Sequence, residues 1–245
     1  MTTRKQSIAD QLVAAARDLS LTMTELRFGP PVSFVYNPLD YAWAPHEQYL
    51  RRYGNSRKRV VFLGMNPGPF GMAQNGVPFG DGGMARGWLA IDAPIGRPGR
   101  EHPKRPIAGF DLARGEVSGQ RLWGAVADHF GAPARFFEKH FVANYCPLCF
   151  LEQSGRNRTP DRLASDERAA LYAVCDRHLR RVVDALRPEW VIGIGRFAEQ
   201  RARAALDGVE VEIAGVLHPS PASPAANRGW ADTVRRQLAA LGLCS

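Results

Sequence analysis

The chain has 245 residues and a mass of 27.0 kDa, a length that fits one large domain. Hydrophobic residues make up 45% and charged residues 23%, which excludes disorder as the main state. No apolar run approaches the roughly 20 residues of a membrane helix, and we expect no secretory signal, because none is visible in the first 20 residues. With its Arg- and Ala-rich composition, we therefore expect a bacterial cytoplasmic protein without a membrane partner.

The charge balance has two explanations. Lys and Arg number 32 against 24 Asp and Glu, so the net charge is +8 and the isoelectric point is near 9.7. Almost all of these cations are arginines, whose planar fork suits phosphate, and a basic surface favours a polyanionic partner such as nucleic acid. Codon bias from a GC-rich genome explains the same composition, so charge alone assigns no function.

The first half of the chain begins with an amphipathic helix over residues 7–20, which carries an apolar stripe. Residues 29–56 are rich in aromatic residues and proline, and they indicate an irregular covering segment. A short buried strand over 59–64 leads into a shaped, Gly- and Pro-rich loop over 64–80. A second Gly- and Pro-rich stretch, which is basic, occupies 81–117.

The second half alternates regularly between helices and strands. Its predicted elements are a helix capped by Ser118 and ending at Phe130, a strand over 141–145, a helix from Ser165 to Leu186, a strand over 190–194, a helix over 197–206, a strand over 209–217 and a last helix over 226–241. This alternation predicts an α/β fold: one three-layer α/β/α domain over residues 1–245, with a small, mostly parallel four-stranded central sheet.

The cysteines raise the question of a metal. Cys146 and Cys149 have metal-ligand spacing, but neither a second such pair nor a spaced histidine pair accompanies them. Cys175 and Cys244 would have to come from distant helices. We therefore expect buried, reduced thiols, no metal and no other cofactor.

Three polar side chains follow predicted strands where those strands end. They are Asn66, Asn144 and His218. Ligands of open α/β sheets bind beyond the carboxyl ends of the strands, so these residues predict a shared site. Each residue alone also fits a turn, a strand cap or a hydrogen-bonded loop histidine.

Two segments carry a resemblance to a known family. GMNPGPFGMAQNGVPFG over 64–80 and HPSPASPAANRGW over 218–230 resemble the signature motifs of the single-strand-selective monofunctional uracil-DNA glycosylases, a branch of the uracil-DNA glycosylase superfamily. Shorter matches lie at EHPKRP (101–106), EVSG (116–119), FVANYCPL (141–148), GRN (155–157) and GRFAEQRA (195–202). The resemblance covers residues 28 to 243, and the predicted helix within residues 1–25 carries no signature.

The resemblance implies an enzyme that flips uracil, and 5-oxidised uracils such as 5-hydroxymethyluracil, out of single- or double-stranded DNA. Hydrolysis of the glycosidic bond then leaves an abasic site. His218 is implied as the donor to uracil O2, and Asn66 as the residue that orients water. Neither motif loop holds a carboxylate before Asp81 or Asp232, so cleavage must depend on uracil leaving as an anion. Neither motif holds a lysine, so no Schiff base is expected.

The same resemblance assigns base recognition. Asn144 matches the residue that reads the pyrimidine edge, and Phe79 matches the aromatic residue that stacks on the base. Gly68 and Met72 match the lining of the C5 side, next to Met65. Glycine leaves room there, filled by water, for a 5-hydroxymethyl group. From the residues alone, Phe79 and the two methionines would be packing residues.

A DNA-inserting wedge is implied over residues 218–229. Its candidate residues are Ser220, Pro221, Ala222, Ser223 and Arg228. Vertebrate members have arginine directly after HPSP, where this chain has Ala222, so we expect weaker extrusion from intact duplex. Arg228 either contacts phosphate or is a solvated arginine at a helix start.

Other functions stay open from the sequence. The main substrate could be a deaminated purine, xanthine or hypoxanthine, in the same pocket. A catalytically silent module that binds damaged DNA is the second alternative. A small-molecule nucleotide enzyme lacks support because no GxGxxG or P-loop follows the first predicted strand. We expect a monomer.

Overall fold

The structure is a computed structural model, and it describes residues 6–243. The strands are β1 (Val32–Tyr36), β2 (Val60–Gly64), β3 (His140–Asn144), β4 (Cys149–Glu152), β5 (Asn157–Arg158), β6 (Trp190–Ile194) and β7 (Glu212–Val216). The helices are α1 (Ile8–Glu25), α2 (Pro38–Tyr41), α3 (Trp43–Tyr53), α4 (Met72–Asn75), α5 (Gly82–Gly87), α6 (Val117–Phe130), α7 (Pro133–Lys139), α8 (Ser165–Leu186), α9 (Arg196–Ala205), α10 (Pro224–Asn227) and α11 (Trp230–Ala240).

The central sheet is parallel and four-stranded, as the sequence predicts, and the structure gives its strand order as β3-β2-β6-β7. Neighbouring residues of a strand point to opposite faces. Gly193 and Gly215 lie against Glu199 of α9 on one face. The next residues along, Ile194 and Val216, line an apolar cavity shared with α6 and α11 on the other face. Helices therefore cover both faces, which confirms the three-layer α/β/α architecture.

The first helix is longer than predicted. Ser7 caps α1 by accepting a hydrogen bond from the Asp10 N–H at 3.1 Å. The helix continues to Glu25 because its buried stripe runs on to Met23, and it packs against α3 and α8.

The prediction of an irregular segment over 29–56 is wrong. This segment forms β1, α2 and α3, and β1 pairs antiparallel with β4 in a second sheet of order β1-β4-β5. Strand β5 was not anticipated from the sequence. The aromatic residues that suggested irregular covering are core residues: Tyr36 and Tyr49 are fully buried, and each hydroxyl bonds a main-chain carbonyl.

Several helix ends also differ from the sequence-based prediction. Glu116, not Ser118, caps α6, because its carboxylate accepts the N–H groups of Ser118 and Gly119. Ser165 is the first helical residue of α8 rather than its cap. The predicted last helix is two helices, α10 and α11, because Gly229 between them has φ 126°.

The fourth predicted strand begins later than expected, at Glu212, because residues from Val209 still belong to the turn that follows α9. Helix α7 was not anticipated.

The thiols of Cys146, Cys149 and Cys175 are buried and free, whereas Cys244 lies outside the described residues. Within residues 6–243, no group of three His, Cys, Asp or Glu side chains is placed to hold a metal ion. No helix of that range is long and apolar enough to cross a membrane.

Candidate active site

A cavity of about 390 Å³ opens at the carboxyl edge of the parallel sheet. Both predicted catalytic residues and all five predicted base-binding residues line it: Met65, Asn66, Gly68, Met72, Phe79, Asn144 and His218. The strands explain this convergence, because Asn66 follows β2, Asn144 ends β3 and His218 follows β7.

Main-chain hydrogen bonds align the loops that follow β2 and β3. The Tyr145 N–H donates to the Gly64 carbonyl, and the Cys146 N–H donates to the Met65 carbonyl, each at 2.9 Å. The Asn144 amide therefore enters the cavity beside the first motif loop, where its Nδ2 donates to the Met72 sulfur at 3.3 Å. A thioether is a weak acceptor, so the Asn144 amide can readily exchange this hydrogen bond for one to a stronger acceptor.

Asn66 is held through its amide group. Its Nδ2 donates to the carbonyls of Leu148 at 3.0 Å and of Pro67 at 3.2 Å. Both amide protons are thus engaged by the main chain. The other polar atom of the Asn66 side chain is Oδ1, which can only accept hydrogen bonds, so Asn66 acts on the cavity as an acceptor.

The tautomer of His218 follows from one hydrogen bond. The Ser220 backbone N–H donates to His218 Nδ1 at 3.0 Å. Since a backbone N–H can only donate, Nδ1 carries no proton, and the neutral ring holds its proton on Nε2. Burial lowers the pKa of His218 below its usual 6.5, which favours this neutral form.

Glycines make room for these side chains at two points. Gly195 has φ 93°, and a Cβ there would lie 3.1 Å from the Cβ of His218. A Cβ on Gly64 would collide with Asn144 Oδ1 and would lie 2.6 Å from the Phe79 ring. Close approach of the strand-end loops therefore requires glycine at both positions.

Phe79 has an unusual backbone conformation for a bulky residue, with φ 52°. The turn that holds it is fixed by the buried Asn75, whose Oδ1 accepts from the Val77 N–H at 3.1 Å. Its Nδ2 donates to the Gly80 carbonyl at 2.6 Å. The Phe79 ring lies 6.2 Å from the His218 ring, centre to centre. A strained residue at such a site points to function rather than packing alone.

Of the predicted wedge residues, only Ser220 lines the cavity. Pro221 and Ala222 form an exposed turn beside it, and Ser223 caps α10 by accepting the Ala226 N–H at 3.4 Å. Arg228 is exposed at the end of α10.

Sequence reasoning missed several cavity residues: Pro67, Gly71, Glu116, Ser118, Asn157 and Thr159. The first signature motif contains two of them and the EVSG and GRN matches contain three, so these segments were the available signal. Burial raises the pKa of Glu116, whose stem packs so closely on Gly71 that a Cβ there would lie 2.8 Å from Glu116 Cγ.

The family model of the uracil DNA glycosylase superfamily matches residues 51–239. The chain belongs to this superfamily. It is 48% identical over 240 residues to a single-strand selective monofunctional uracil DNA glycosylase of Mus musculus, covering 97% of this chain and 86% of that protein. The Rattus norvegicus relative of the same description is 49% identical over the same shares. The Bos taurus relative is 48% identical over 97% of this chain and 88% of its own length. The predicted family membership is confirmed.

A solved structure supports the superfamily fold. Wild-type SMUG2 of Pedobacter heparinus superposes with a TM-score of 0.69 over 97% of both chains, at 18% identity. At that identity the likeness concerns the fold alone. It places the strand-end cavity in a scaffold that another solved protein shares.

Proposed function

We propose that this protein is a monofunctional uracil-DNA glycosylase, which extrudes uracil from DNA and hydrolyses its glycosidic bond to leave an abasic site. The observation that carries the proposal is the pairing of an Asn66 acceptor with a fixed His218 donor in one cavity. The relatives at 48–49% identity bear the name of this activity.

The chemistry depends on the leaving group. When the glycosidic bond breaks, negative charge develops on the carbonyl oxygens of uracil, and the Nε2–H of His218 stabilises it at O2. Loss of one such donor typically costs about 10²–10³ in rate. Asn66 Oδ1 accepts a hydrogen bond from the water that captures the sugar cation.

Base recognition is proposed for two other residues that line the cavity, Asn144 and Phe79. The Asn144 amide both donates and accepts, which matches the edge of uracil, and it exchanges its weak bond to the Met72 sulfur for that edge. Phe79 stacks on the base, held by the turn that Asn75 fixes.

A 5-hydroxymethyl group is proposed to enter beside Gly68. A Cβ built on Gly68 meets no atom within 4 Å, so the space on this side is open. A hydroxymethyl group replaces the hydrogen bonds of a displaced water, whereas the methyl of thymine does not. Gly68→Ala should therefore lower excision of 5-hydroxymethyluracil more than that of uracil; an equal loss on both substrates would place the C5 side elsewhere.

Strand cleavage is not proposed, because no described cavity residue is a lysine. Lys58, for comparison, bonds Ser56 Oγ at 2.9 Å just before β2 begins, at the opposite edge of the sheet from the cavity. The described cavity residues therefore include no amine that could form a Schiff base with the abasic sugar.

The test is incubation with uracil-containing single-stranded and duplex oligonucleotides. Free uracil should appear while the strand stays intact until alkali is added. Borohydride trapping of a covalent adduct would contradict the monofunctional assignment. Release of xanthine or hypoxanthine in preference to uracil would favour a purine substrate instead.

The proposal extends to a monomeric protein of the bacterial cytoplasm that needs no cofactor. It is supported by the composition and by the catalytic groups that the chain itself supplies. Light scattering of the purified protein measures the oligomeric state, and retention of activity in a chelator tests the cofactor claim.

A further inference from the structure

Arg121 of α6 holds the loop that carries His218. Its Nη1 donates to the carbonyls of Pro219 at 3.1 Å and Ser220 at 3.4 Å. Its Nη2 donates to Asn227 Oδ1 at 2.8 Å, and Asn227 in turn donates to the Pro221 carbonyl at 2.9 Å. One guanidinium therefore ties the start of the wedge loop to its end.

One of these bonds leads directly to the proposed catalytic ring. The Pro219 carbonyl and the Ser220 N–H belong to the same peptide unit. The oxygen of that unit accepts from Arg121, and its N–H donates to His218 Nδ1 at 3.0 Å. A guanidinium, a peptide and an imidazole thus form one hydrogen-bonded chain.

The charge of Arg121 acts along this chain. All three of its acceptors are neutral oxygens, so no carboxylate among these partners cancels the charge. A cation on a peptide oxygen polarises the peptide and strengthens its N–H as a donor. The stronger donor keeps Nδ1 unprotonated and the ring oriented, as the outer partners of ligating histidines do.

We propose that Arg121 is a positioning residue for His218, acting through the Pro219–Ser220 peptide to fix the Nε2–H tautomer and the direction of that donor. The inference deepens the proposed function and rests on it. Arg121 lies outside both signature motifs, on helix α6, whose first turn lines the cavity.

The first test is the single-turnover rate at saturating enzyme on single-stranded DNA, where a wedge has no partner strand to displace. Arg121→Gln should lower this rate about tenfold, the lower end of the loss that is typical when the hydrogen-bond partner of a metal-binding histidine is removed. Arg121→Lys, which keeps the charge, should restore part of it. Asn227→Ala breaks the other anchor of the loop but leaves the hydrogen bonds from Arg121 through the peptide to His218 intact. It should therefore lower the rate by less than about twofold.

A matched control is Arg135→Gln, which removes the same charge from an exposed arginine on α7, next to the amino end of β3. It should leave the rate unchanged. Thermal midpoints of all variants separate unfolding from loss of positioning. A rate for Arg121→Gln equal to that of the Arg135→Gln control would overturn the proposal.

The decisive measurement is a double-mutant cycle with His218→Ala. If Arg121 acts through His218, Arg121→Gln should add less than about a twofold loss once the imidazole is absent. Multiplicative losses would show that Arg121 acts independently of His218.

Nitrogen-15 NMR of the His218 ring gives a readout without DNA. The free protein should show the Nε2–H tautomer, and Arg121→Gln should show a mixture of tautomers. An unchanged spectrum would overturn the inference even if the enzyme is active. Failure of the wild type to release uracil would instead contradict the proposed function, whatever the spectrum shows.

Discussion

At the scale of single residues, Asn66 and His218 owe their proposed roles to main-chain partners. The carbonyls of Leu148 and Pro67 occupy the Asn66 amide protons, and the Ser220 N–H occupies His218 Nδ1. Each side chain is left with one polar group for a substrate, the Oδ1 acceptor of Asn66 and the Nε2–H donor of His218. Orientation is thus settled before a substrate arrives, which is what makes such groups effective in a transition state.

Replacement of either residue by alanine tests these roles. His218→Ala removes the donor to the leaving group and should lower the single-turnover rate by about 10²–10³. Asn66→Ala should lower it by about 10² or more, by analogy with groups that act on the attacking water. Circular dichroism and the thermal midpoint serve as controls for folding. Full activity of either variant at unchanged stability would remove that residue from the mechanism.

Gly64→Ala tests the close approach of Phe79 and Asn144. An added Cβ collides with the Asn144 amide oxygen and with the Phe79 ring, so both groups must shift. We expect weaker binding of uracil-containing DNA and a rate lower by about tenfold or more, since small misplacements are costly. Gly87→Ala is the control, because a Cβ at Gly87 meets no atom within 4 Å. Equal rates for the two variants would contradict this account of the pocket.

At the scale of an element, the loop over 218–228 serves two proposed purposes. Its first residues present His218 to the cavity, while its exposed turn at Pro221 and Ala222 faces solvent. The turn is small at its tip, where residue 222 is alanine. A small tip fills the space left by an extruded base poorly.

Ala222→Arg should therefore act on duplex substrates only. Flipping costs a few kcal/mol and costs least for mismatched or unpaired bases, so the wild type should prefer single strands and U·G pairs over U·A pairs. The added arginine should reduce the difference in rate between these substrates without changing the rate on single-stranded DNA. Single-turnover rates on the three substrates measure this. Equal wild-type rates on all three would show that base extrusion does not limit this enzyme.

At the scale of the whole molecule, buried histidines make stability depend on pH. Burial lowers the pKa of His46 from 6.5 to about 4, and its Nδ1 lies 2.7 Å from the Gly76 carbonyl. Below pH 6.5 the unfolded chain therefore takes up a proton that the folded protein refuses. The free energy of unfolding should fall as pH drops from about 6.5 to about 4, by about 3 kcal/mol for this residue.

Urea unfolding at pH 7 and pH 4.5 measures this effect. His46→Gln keeps a donor for Gly76 and should reduce but not abolish the pH dependence, because burial also lowers the pKa of His178 to about 4. His129→Gln, at an exposed position on α6, should leave it unchanged. Identical pH dependence in the wild type and in His46→Gln would show that another group controls acid unfolding.

The net charge of +8 predicts electrostatic DNA binding. Affinity for undamaged single-stranded DNA should fall linearly on a log–log salt plot, with a slope of about 0.7 for each phosphate contacted. We expect a slope that corresponds to several contacts. A flat response would mean that the arginine content reflects codon bias.

The sequence by itself determined the parallel sheet and the family. Buried parallel strands are continuous apolar runs, so β2, β3 and β6 are visible locally, to within one residue at each end. Residues directly after such strands meet at one edge of the sheet. The shared location of Asn66, Asn144 and His218 could therefore be predicted from their positions in the chain, and the family resemblance implied the roles proposed for them.

Only the tertiary structure decided the rest. Strand β1 exists because it pairs with β4, more than a hundred residues along the chain, and no local pattern records such a partner. Glu116 and Asn157 reach the cavity because α6 and the antiparallel sheet pack beside it. The proton position on His218 and the contact from Arg121 depend on hydrogen bonds between distant groups. Hydrogen-bond geometry of this kind is a property of packed elements, whereas strand and helix periodicity is a property of the chain.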